Sequence, residues 1–265
     1  MASWYTGDAT YDTLLGGALL FAGLVFVVSW FLPSPYGRFA SARFGVSVDP
    51  RLGWLLMELP ATLSFLFFFL TGPRRAAAVP LLFLGVWIIH YANRGFLFPL
   101  RMRVARGDRA SFSLVVIVIG WAVTALHGYF HAAFFTRLGT HYTTAWLADP
   151  RFLVGLAIYY ACFALNLHSD GIIRNLRTPA EVAAGEKRYR IPRGGLFRWV
   201  TSPSYLSELG AWAGLALCTW SLAGAFIFLV SAANLVPRAF ATHRWYRERF
   251  PDYPPERKAL IPYLW

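Results

Sequence analysis

The sequence predicts an all-α polytopic membrane protein in which seven helices cross the bilayer, and two observations carry this prediction. The first is composition, because 57% of the 265 residues are hydrophobic and 14% are charged, whereas about 25% of a soluble domain is charged. The second is the distribution of the apolar residues, which form seven segments near the roughly 20-residue length of a spanning helix. The mean hydropathy of +0.46 agrees with this class. We expect a single integral-membrane domain over residues 1–265.

The apolar segments follow one another with short polar connections. In chain order they are residues 13–32, 52–70, 76–98, 111–135, 152–173, 205–220 and 222–236. The last two are short and closely joined, which is typical of a hairpin of tilted helices that turns near residues 219–221. Asp8 and Asp12 precede the first segment and no Lys or Arg does. This differs from the basic start of a cleaved signal peptide, so we expect the first segment to remain as a membrane helix.

The basic residues indicate the orientation, because loops that stay in the cytoplasm carry most Lys and Arg. Counted on alternate sides of seven spans, 20 of the 25 basic residues fall on one side and four on the other, with Arg94 inside the third segment. This asymmetry predicts an N-terminus outside and a C-terminus in the cytoplasm. Together with attraction to anionic lipid, it accounts for most of the formal net charge of +12. The charge therefore calls for no nucleic-acid partner.

Polar side chains within the apolar segments mark a site, since ionisable groups are costly in hydrocarbon. All of them fall on the cytoplasmic half of their predicted helices: Glu58, His90, Tyr91, Asn93, Arg94, Asn166, His168, Asp170, Glu208 and Arg238. We expect them to converge on one cavity that opens to the cytoplasm. A structural role is the alternative for some of them. Glu58 and Arg94 can form an ion pair, and packing or interhelical hydrogen bonding is the simpler role for His90, His127 and His131.

The loop after the fifth segment indicates the kind of ligand. Its basic residues are Arg174, Arg177, Lys187, Arg188, Arg190, Arg193 and Arg198. Arginine binds phosphate groups with bidentate geometry, and nearby carboxylates and Asn suit ribose hydroxyls or a carboxamide, so the pattern favours a dinucleotide. Gly194-Gly195 is not a Rossmann fingerprint. The sequence has no CxxC, HExxH or P-loop motif, so we predict no metal site.

Eight stretches of the chain match, in order and spacing, the motifs of a known family. They are Pro33-Ser-Pro-Tyr36-Gly37-Arg38, Glu58-Leu-Pro60, His90-Tyr91 with Arg94, Asn166-Leu-His-Ser-Asp170, Arg174 with Arg177, Tyr189-Arg-Ile-Pro-Arg-Gly-Gly-Leu-Phe197, Arg238-Ala-Phe240 with His243-Arg244-Trp-Tyr246, and Phe250-Pro-Asp-Tyr-Pro254 through Arg257-Lys-Ala-Leu-Ile-Pro262. Over nearly its whole length the chain resembles the steroid 5α-reductases, the 3-oxo-5α-steroid 4-dehydrogenases. The resemblance implies a seven-helix enzyme that uses NADPH to reduce the C4–C5 double bond of a 3-oxo-Δ4-steroid.

The resemblance also implies the roles of individual residues. The cofactor residues would be Tyr36, Arg106, Asn166, Asp170, Arg174, Arg177, Tyr189, Arg190, Ser204, Glu208, Arg238 and Tyr246. Tyr91 and Glu58 would polarise the C3 carbonyl group, and Met57 and Arg94 would contact the substrate. Hydride addition to an enone moves negative charge onto the carbonyl oxygen, so hydrogen-bond donors are needed there. Tyr91 is such a donor, and a protonated Glu58 is a second one.

Two other classes stay open on the sequence alone. An isoprenylcysteine-type membrane methyltransferase has a similar C-terminal helix arrangement and would bind S-adenosylmethionine instead of NADPH. A transporter or receptor is the non-enzymatic alternative, although the one-sided polar cluster and the lack of an inverted repeat speak against transport. In the reductase, residues 13–135 would hold the carbonyl site and residues 152–265 the NADPH site. We expect a monomer in a bacterial inner membrane, with its active site facing the cytoplasm and a steroid or other apolar enone entering from the lipid.

Overall fold

The structure is a computed structural model that describes residues 6–105, 110–185 and 189–264. Its helices are α1 (Ala9–Phe31), α2 (Pro50–Leu70), α3 (Ala78–Tyr91), α4 (Phe98–Arg101), α5 (Leu114–Ala133), α6 (Pro150–Asn175), α7 (Pro179–Ala183), α8 (Pro203–Thr219) and α9 (Leu222–Arg249). Two short strands, β1 (Ser47–Val48) and β2 (Phe112–Ser113), pair antiparallel. The prediction of a mainly helical membrane protein is confirmed.

Six helical stretches of the described chain are long and apolar enough to cross a membrane. They are Ala9–Phe31, Pro50–Leu70, Ala78–Arg101, Leu114–Leu138, Pro150–Asn175 and Leu222–Arg249. Helix α8 corresponds to the predicted segment 205–220 but has 17 residues. At 1.5 Å per residue it is about 25 Å long, which is shorter than the roughly 30 Å hydrocarbon core. Six of the seven predicted segments therefore coincide with candidate spans.

The last helix is much longer than the sequence predicts. The apolar segment ends at residue 236, whereas α9 continues through Pro237 to Arg249 and has 28 residues. The prediction stopped where charged residues begin, because it followed hydropathy. In the structure Arg238 is only 4% exposed. The polar half of α9 is therefore buried against other parts of the protein and does not face lipid. This half of α9 carries Arg238 and Tyr246 on a rigid helix.

A π-helical segment, Ala92–Leu97, joins α3 to α4. At its end the Phe98 amide donates to the carbonyl oxygen of Asn93, five residues earlier. Such segments are rare and frequently lie at functional sites. The sequence predicts one regular helix over residues 76–98, because no residue type there distinguishes the two kinds of turn. The wider turn changes the direction of Arg94 relative to Tyr91.

The long helices pack in pairs, α1 with α9, α2 with α5, and α6 with α8. Glycines set the close approach of α6 and α8. A Cβ atom on Gly155 would lie 2.4 Å from the Cys218 backbone nitrogen, and one on Gly214 would lie 2.6 Å from the Tyr159 backbone nitrogen. Small residues let membrane helices approach until their backbones are in contact. This contact fixes the relative position of two helices whose ends contribute to the site.

Helix α2 contains Pro60, which has no N–H and leaves the carbonyl oxygen of Leu56 without its helical partner. Trp121 of α5 replaces that partner, since its Nε1 donates to the Leu56 oxygen at 2.7 Å. In hydrocarbon an unsatisfied carbonyl group costs several kcal/mol. The hydrogen bond from α5 therefore stabilises the turn of α2 on which Glu58 lies.

The connections at one end of the bundle, which we call the loop end, cover the ends of the helices. They comprise residues 32–49, 102–105, 110–113, 189–202 and 250–264. The C-terminal tail runs beside the loop that precedes α8, where the Lys258 amide donates to the Trp199 oxygen at 2.9 Å and the Thr201 amide donates to the Lys258 oxygen at 2.8 Å. These bonds hold the loop before α8 in place.

Candidate functional site

A cavity of about 350 Å³ lies at the loop end, within the range of about 300–1,000 Å³ typical of small-molecule sites. Its charged lining consists of Arg38, Arg94, Arg101, Arg103, Asp170, Arg174, Arg177, Arg190, Glu208 and Arg238. Tyr36, Trp54 and Tyr246 are among the aromatic residues of the wall. Among the described residues, eight arginines thus face two carboxylates. This excess of positive charge favours an anionic ligand.

Arg94 connects three helices at the centre of the cavity wall. Its Nη2 lies 3.0 Å from Glu208 Oε2 of α8 and its Nη1 lies 3.8 Å from Asp170 Oδ2 of α6. The guanidinium also stacks over the Trp54 ring at 4.4 Å. Within the described chain the carboxylate partners of Arg94 are therefore Glu208 and Asp170, and the alternative of an ion pair with Glu58 is wrong. The π-helical turn directs Arg94 toward α6 and α8.

Arg238 anchors the loop before α2 to α9. Its Nη1 donates to the Ser34 oxygen at 2.8 Å, its Nη2 to the Tyr36 oxygen at 3.0 Å and its Nε to the Tyr205 hydroxyl at 3.0 Å. The guanidinium lies 3.7 Å from the Tyr36 ring centre. Burial raises the pKa of the Tyr36 phenol to about 12, although the positive charge of Arg238 opposes this. The phenol is protonated at neutral pH, and Tyr36 is part of the cavity wall.

The outer wall contains an arginine that is oriented by an acidic residue of α7. Arg190 makes short contacts with both carboxylate oxygens of Glu181 and with the Leu176 oxygen. Hydrogen bonds from Arg190 hold the pKa of the Glu181 carboxyl down at about 2. In the connection after α4, Arg103 Nη1 donates to the Arg177 oxygen at 2.6 Å. These contacts fix the positions of Arg190 and Arg103 in the outer wall of the cavity.

Ten of the twelve predicted cofactor residues line the cavity. They are Tyr36, Asp170, Arg174, Arg177, Tyr189, Arg190, Ser204, Glu208, Arg238 and Tyr246. Asn166 is buried behind the wall, and its Nδ2 donates to the Ser204 backbone oxygen at 2.8 Å, so the structure gives it a supporting contact. Arg106 lies outside the described residues.

The predicted carbonyl pair lies next to the cavity rather than in its wall. A Cβ atom on Gly95 would lie 3.7 Å from Glu58 Cβ and 3.9 Å from Tyr91 Cδ1, so both side chains approach the residue that follows Arg94. Tyr91 is 4% exposed and its ring centre lies 4.9 Å from that of Trp87. The two predicted carbonyl residues are thus brought together by the π-helical segment.

The remaining predicted positions pack between helices. Met57, predicted to contact the substrate, lies against α5, because a Cβ atom on Gly120 would be 2.3 Å from Met57 Cγ. His90 Nδ1 is hydrogen-bonded to the Tyr159 hydroxyl at 2.9 Å, which confirms an interhelical bond for this histidine. His131 Nδ1 lies 3.0 Å from the backbone oxygen of His127 in its own helix.

Several residues of the wall were missed by sequence reasoning. Trp54 and Tyr205 look like ordinary membrane-helix aromatics, and Arg38, although it ends the first matching stretch, was given no role there. Glu181 does not line the cavity but binds the wall residue Arg190. It could have been suspected, because Thr178 and Glu181 form a capping box at the start of α7 and a capping box is recognisable in sequence. The partners of the other three residues come from distant parts of the chain, so no local pattern reveals them.

The fold and the cavity define a polytopic membrane protein with a basic ligand site at one end of its helices. A family model described as 3-oxo-5-alpha-steroid 4-dehydrogenase matches residues 110–265. The chain is 36% identical over 256 residues to 3-oxo-5-alpha-steroid 4-dehydrogenase 1 of Rattus norvegicus, covering 94% of this chain and 93% of that protein. It is 35% identical over 249 residues to Steroid 5-alpha-reductase DET2 of Solanum lycopersicum, with 93% and 94% covered.

A third relative, 3-oxo-5-alpha-steroid 4-dehydrogenase 1 of Mus musculus, is 37% identical over 253 residues, and the alignment covers 94% of each of the two chains. The protein belongs to the 3-oxo-5-alpha-steroid 4-dehydrogenase family of oxidoreductases. The family resemblance predicted from the motifs is therefore confirmed.

Proposed function

We propose that the protein reduces the C4–C5 double bond of a 3-oxo-Δ4-steroid, with NADPH as reductant, to give the 5α-dihydro product. The observation that carries the proposal is the position of the basic cavity. Its central residue, Arg94, directly precedes Gly95, which Glu58 and Tyr91 approach. An anionic cofactor and an apolar ketone can thus meet at one turn of one helix. The names of the relatives support the substrate class.

The donor set of the cavity fits NADPH. Arginines suit its phosphate groups, and the carboxylates of Asp170 and Glu208 suit ribose hydroxyls or the carboxamide. The residues that would hold it are Tyr36, Asp170, Arg174, Arg177, Tyr189, Arg190, Ser204, Glu208, Arg238 and Tyr246, with Asn166 supporting Ser204. NADPH supplies the hydride when bound. The protein contributes orientation and a wall of fixed charges.

Tyr91 and Glu58 stabilise the substrate in this proposal by hydrogen bonding to its C3 carbonyl oxygen. Negative charge grows on this oxygen as the double bond is reduced, so preorganised donors lower the barrier. The Tyr91 phenol donates one hydrogen bond and a protonated Glu58 donates another. Trp87 and the other rings around Tyr91 exclude water, which strengthens hydrogen bonds in the site. Arg94 adds a positive charge beside the same position.

We further propose that α8 is the seventh crossing and that the loop end faces the cytoplasm. Helix α8 packs along α6 and α9, so neighbouring helices enclose it even though it is short. The connections that form the loop end carry eight basic residues, namely Arg38, Arg43, Arg103, Arg190, Arg193, Arg198, Arg257 and Lys258, and cytoplasmic loops are rich in such residues. The assignment to a bacterial inner membrane stays a prediction, since the relatives named above are from plants and mammals.

The experiment is turnover by the detergent-purified protein with NADPH and testosterone or progesterone, with the product identified by mass and by its configuration at C5. We expect a 5α-dihydro steroid. Tyr91→Phe and Glu58→Met, which each remove a donor, should lower kcat by about 10²–10³-fold, the usual effect of one oxyanion donor, with little change in NADPH affinity. Tyr160→Phe and Glu256→Met are matched controls.

The outcomes separate the parts of the proposal. Equal loss of turnover and NADPH affinity in Tyr91→Phe would contradict the carbonyl role. NADPH binding without steroid turnover would direct the search to other enones. Absence of NADPH binding would refute the proposal, and binding of S-adenosylmethionine in its place would favour the methyltransferase.

A further inference from the structure

Arg38 lies on the cavity wall in the loop between α1 and α2, and three aromatic rings surround its guanidinium. The Arg38 Cζ lies 4.8 Å from the Trp245 ring centre, 4.7 Å from that of Tyr246 and 5.8 Å from that of Tyr189. Its Nη2 is 3.4 Å from the Tyr246 hydroxyl. The aromatic faces attract the cation and hold the planar group in one orientation.

The other terminal nitrogen of Arg38 is unused. Arg38 Nη1 is buried and has no hydrogen-bond partner within the described part of the chain. None of the ion pairs formed by the described residues includes Arg38. Buried polar groups nearly always have a partner, and a charged donor without one is especially unfavourable. A donor held in this way on the wall of a ligand cavity is oriented for an acceptor that the protein does not supply.

The contrast with the other anchored arginines supports this view. Arg190 is bound to Glu181 and Arg94 to Glu208, while all three nitrogens of the Arg238 guanidinium donate to protein oxygens. Aromatic rings neutralise no charge, so Arg38 keeps its full attraction for an anion. A phosphoryl group, like a carboxylate, matches the planar guanidinium fork, and the dinucleotide proposed for this cavity carries phosphoryl groups.

We propose that Arg38 binds a phosphoryl oxygen of the dinucleotide through Nη1. This inference rests on the proposed use of NADPH and assigns a binding residue in addition to the twelve cofactor residues that the resemblance implies. Two sources share this chemistry, namely the 2′-phosphate, which NADPH has and NADH lacks, and the diphosphate, which both contain. If Arg38 binds the 2′-phosphate, it selects between the two nucleotides.

The test is the dissociation constant of NADP⁺ and of NAD⁺ by calorimetry in detergent, for wild type, Arg38→Gln, Arg38→Lys and Arg43→Gln. Arg43 lies in the same loop, is exposed and is not part of the wall, so Arg43→Gln controls for loss of one positive charge. We expect Arg38→Gln to weaken NADP⁺ binding at least tenfold, Arg38→Lys to weaken it less, and Arg43→Gln to change it less than twofold. Loss for NADP⁺ alone assigns the 2′-phosphate, and equal loss for both nucleotides assigns the diphosphate.

Wild-type affinity for NADP⁺ in Arg38→Gln would overturn the inference and leave the proposed function intact. Absence of NADP⁺ binding to the wild type would refute the proposed function itself. If Arg38→Gln does not yield folded protein, Arg38→Lys decides, because it keeps the charge and loses the fork. An unchanged dissociation constant in Arg38→Lys would then overturn the inference, and a loss of threefold or more would support it.

Discussion

Replacing Arg94 should destabilise the protein more than replacing Glu208, because the cluster has one cation and two carboxylates. Arg94 lies 3.0 Å from Glu208 and 3.8 Å from Asp170, and the three side chains are 13%, 17% and 16% exposed. At an effective dielectric constant of about 20 these attractions are about 5.5 and about 4.4 kcal/mol before desolvation is subtracted. Glu208→Gln leaves Arg94 paired with Asp170, whereas Arg94→Gln removes the ion-pair partner of both carboxylates.

Breaking a buried pair costs about 3–5 kcal/mol, so we expect that cost for Arg94→Gln and roughly 1–3 kcal/mol for Glu208→Gln. The assay is thermal unfolding in one detergent. Since 1 kcal/mol corresponds to about 2–4 °C, Arg94→Gln should lower the Tm by roughly 10 °C and Glu208→Gln by less. The double variant should lose about 0.5–3 kcal/mol less than the sum of the single changes.

Arg193→Gln is the control, because it removes an exposed pair with Asp252 and should change the Tm very little. A larger effect of Glu208→Gln than of Arg94→Gln would refute the reasoning. Additive effects in the double variant would also refute it, since they would mean that the two side chains do not interact.

Two further predictions concern the elements around the site. Trp121→Phe removes the hydrogen bond to the Leu56 oxygen and should destabilise the protein by about 1–3 kcal/mol. The control is Trp30→Phe, at a similarly exposed tryptophan of α1, which should change stability by less than about 0.5 kcal/mol. Equal Tm values for the two variants would contradict this prediction. The Glu181 pKa is lowered to about 2 by Arg190, so its stabilisation is fully present above the unfolded pKa of about 4.3 and is lost as the pH falls toward 2. The Tm difference between wild type and Glu181→Gln should therefore shrink below about pH 4.3, and a difference that is constant down to pH 3 would contradict it.

Hydropathy predicted the helices well where lipid or apolar protein surrounds them. The predicted segment 52–70 differs from α2 by two residues at its start, and 152–173 differs from α6 by two at each end. It failed for the second half of α9, because Arg238 is buried by hydrogen bonds that come from the loop before α2. The hydropathy pattern of a segment indicates whether lipid or apolar protein surrounds it. It does not show that Ser34 and Tyr36, about 200 residues earlier in the chain, accept hydrogen bonds from Arg238.

The same reasoning separates what could be predicted of the site from what could not. Ten polar residues in or beside the apolar segments were predicted to converge on one cavity. Four of them, Arg94, Asp170, Glu208 and Arg238, line it, and the other six do not. Which charges pair is a question of geometry. The sequence allowed Arg94 to pair with Glu58, and the structure pairs it with Glu208.

The π-helical segment gives Tyr91 and Arg94 different surroundings although they lie three residues apart. In a regular α-helix, residues three apart share a face, so Tyr91 and Arg94 would compete for the same surroundings. The wider turn at Ala92–Leu97 instead leaves Tyr91 among the aromatic rings of the bundle and directs Arg94 to the carboxylates of α6 and α8. Gly95 follows within that turn and has no side chain to separate Glu58 from Tyr91. An irregular turn, rather than any single side chain, therefore brings the charged wall and the proposed carbonyl site within one residue of each other.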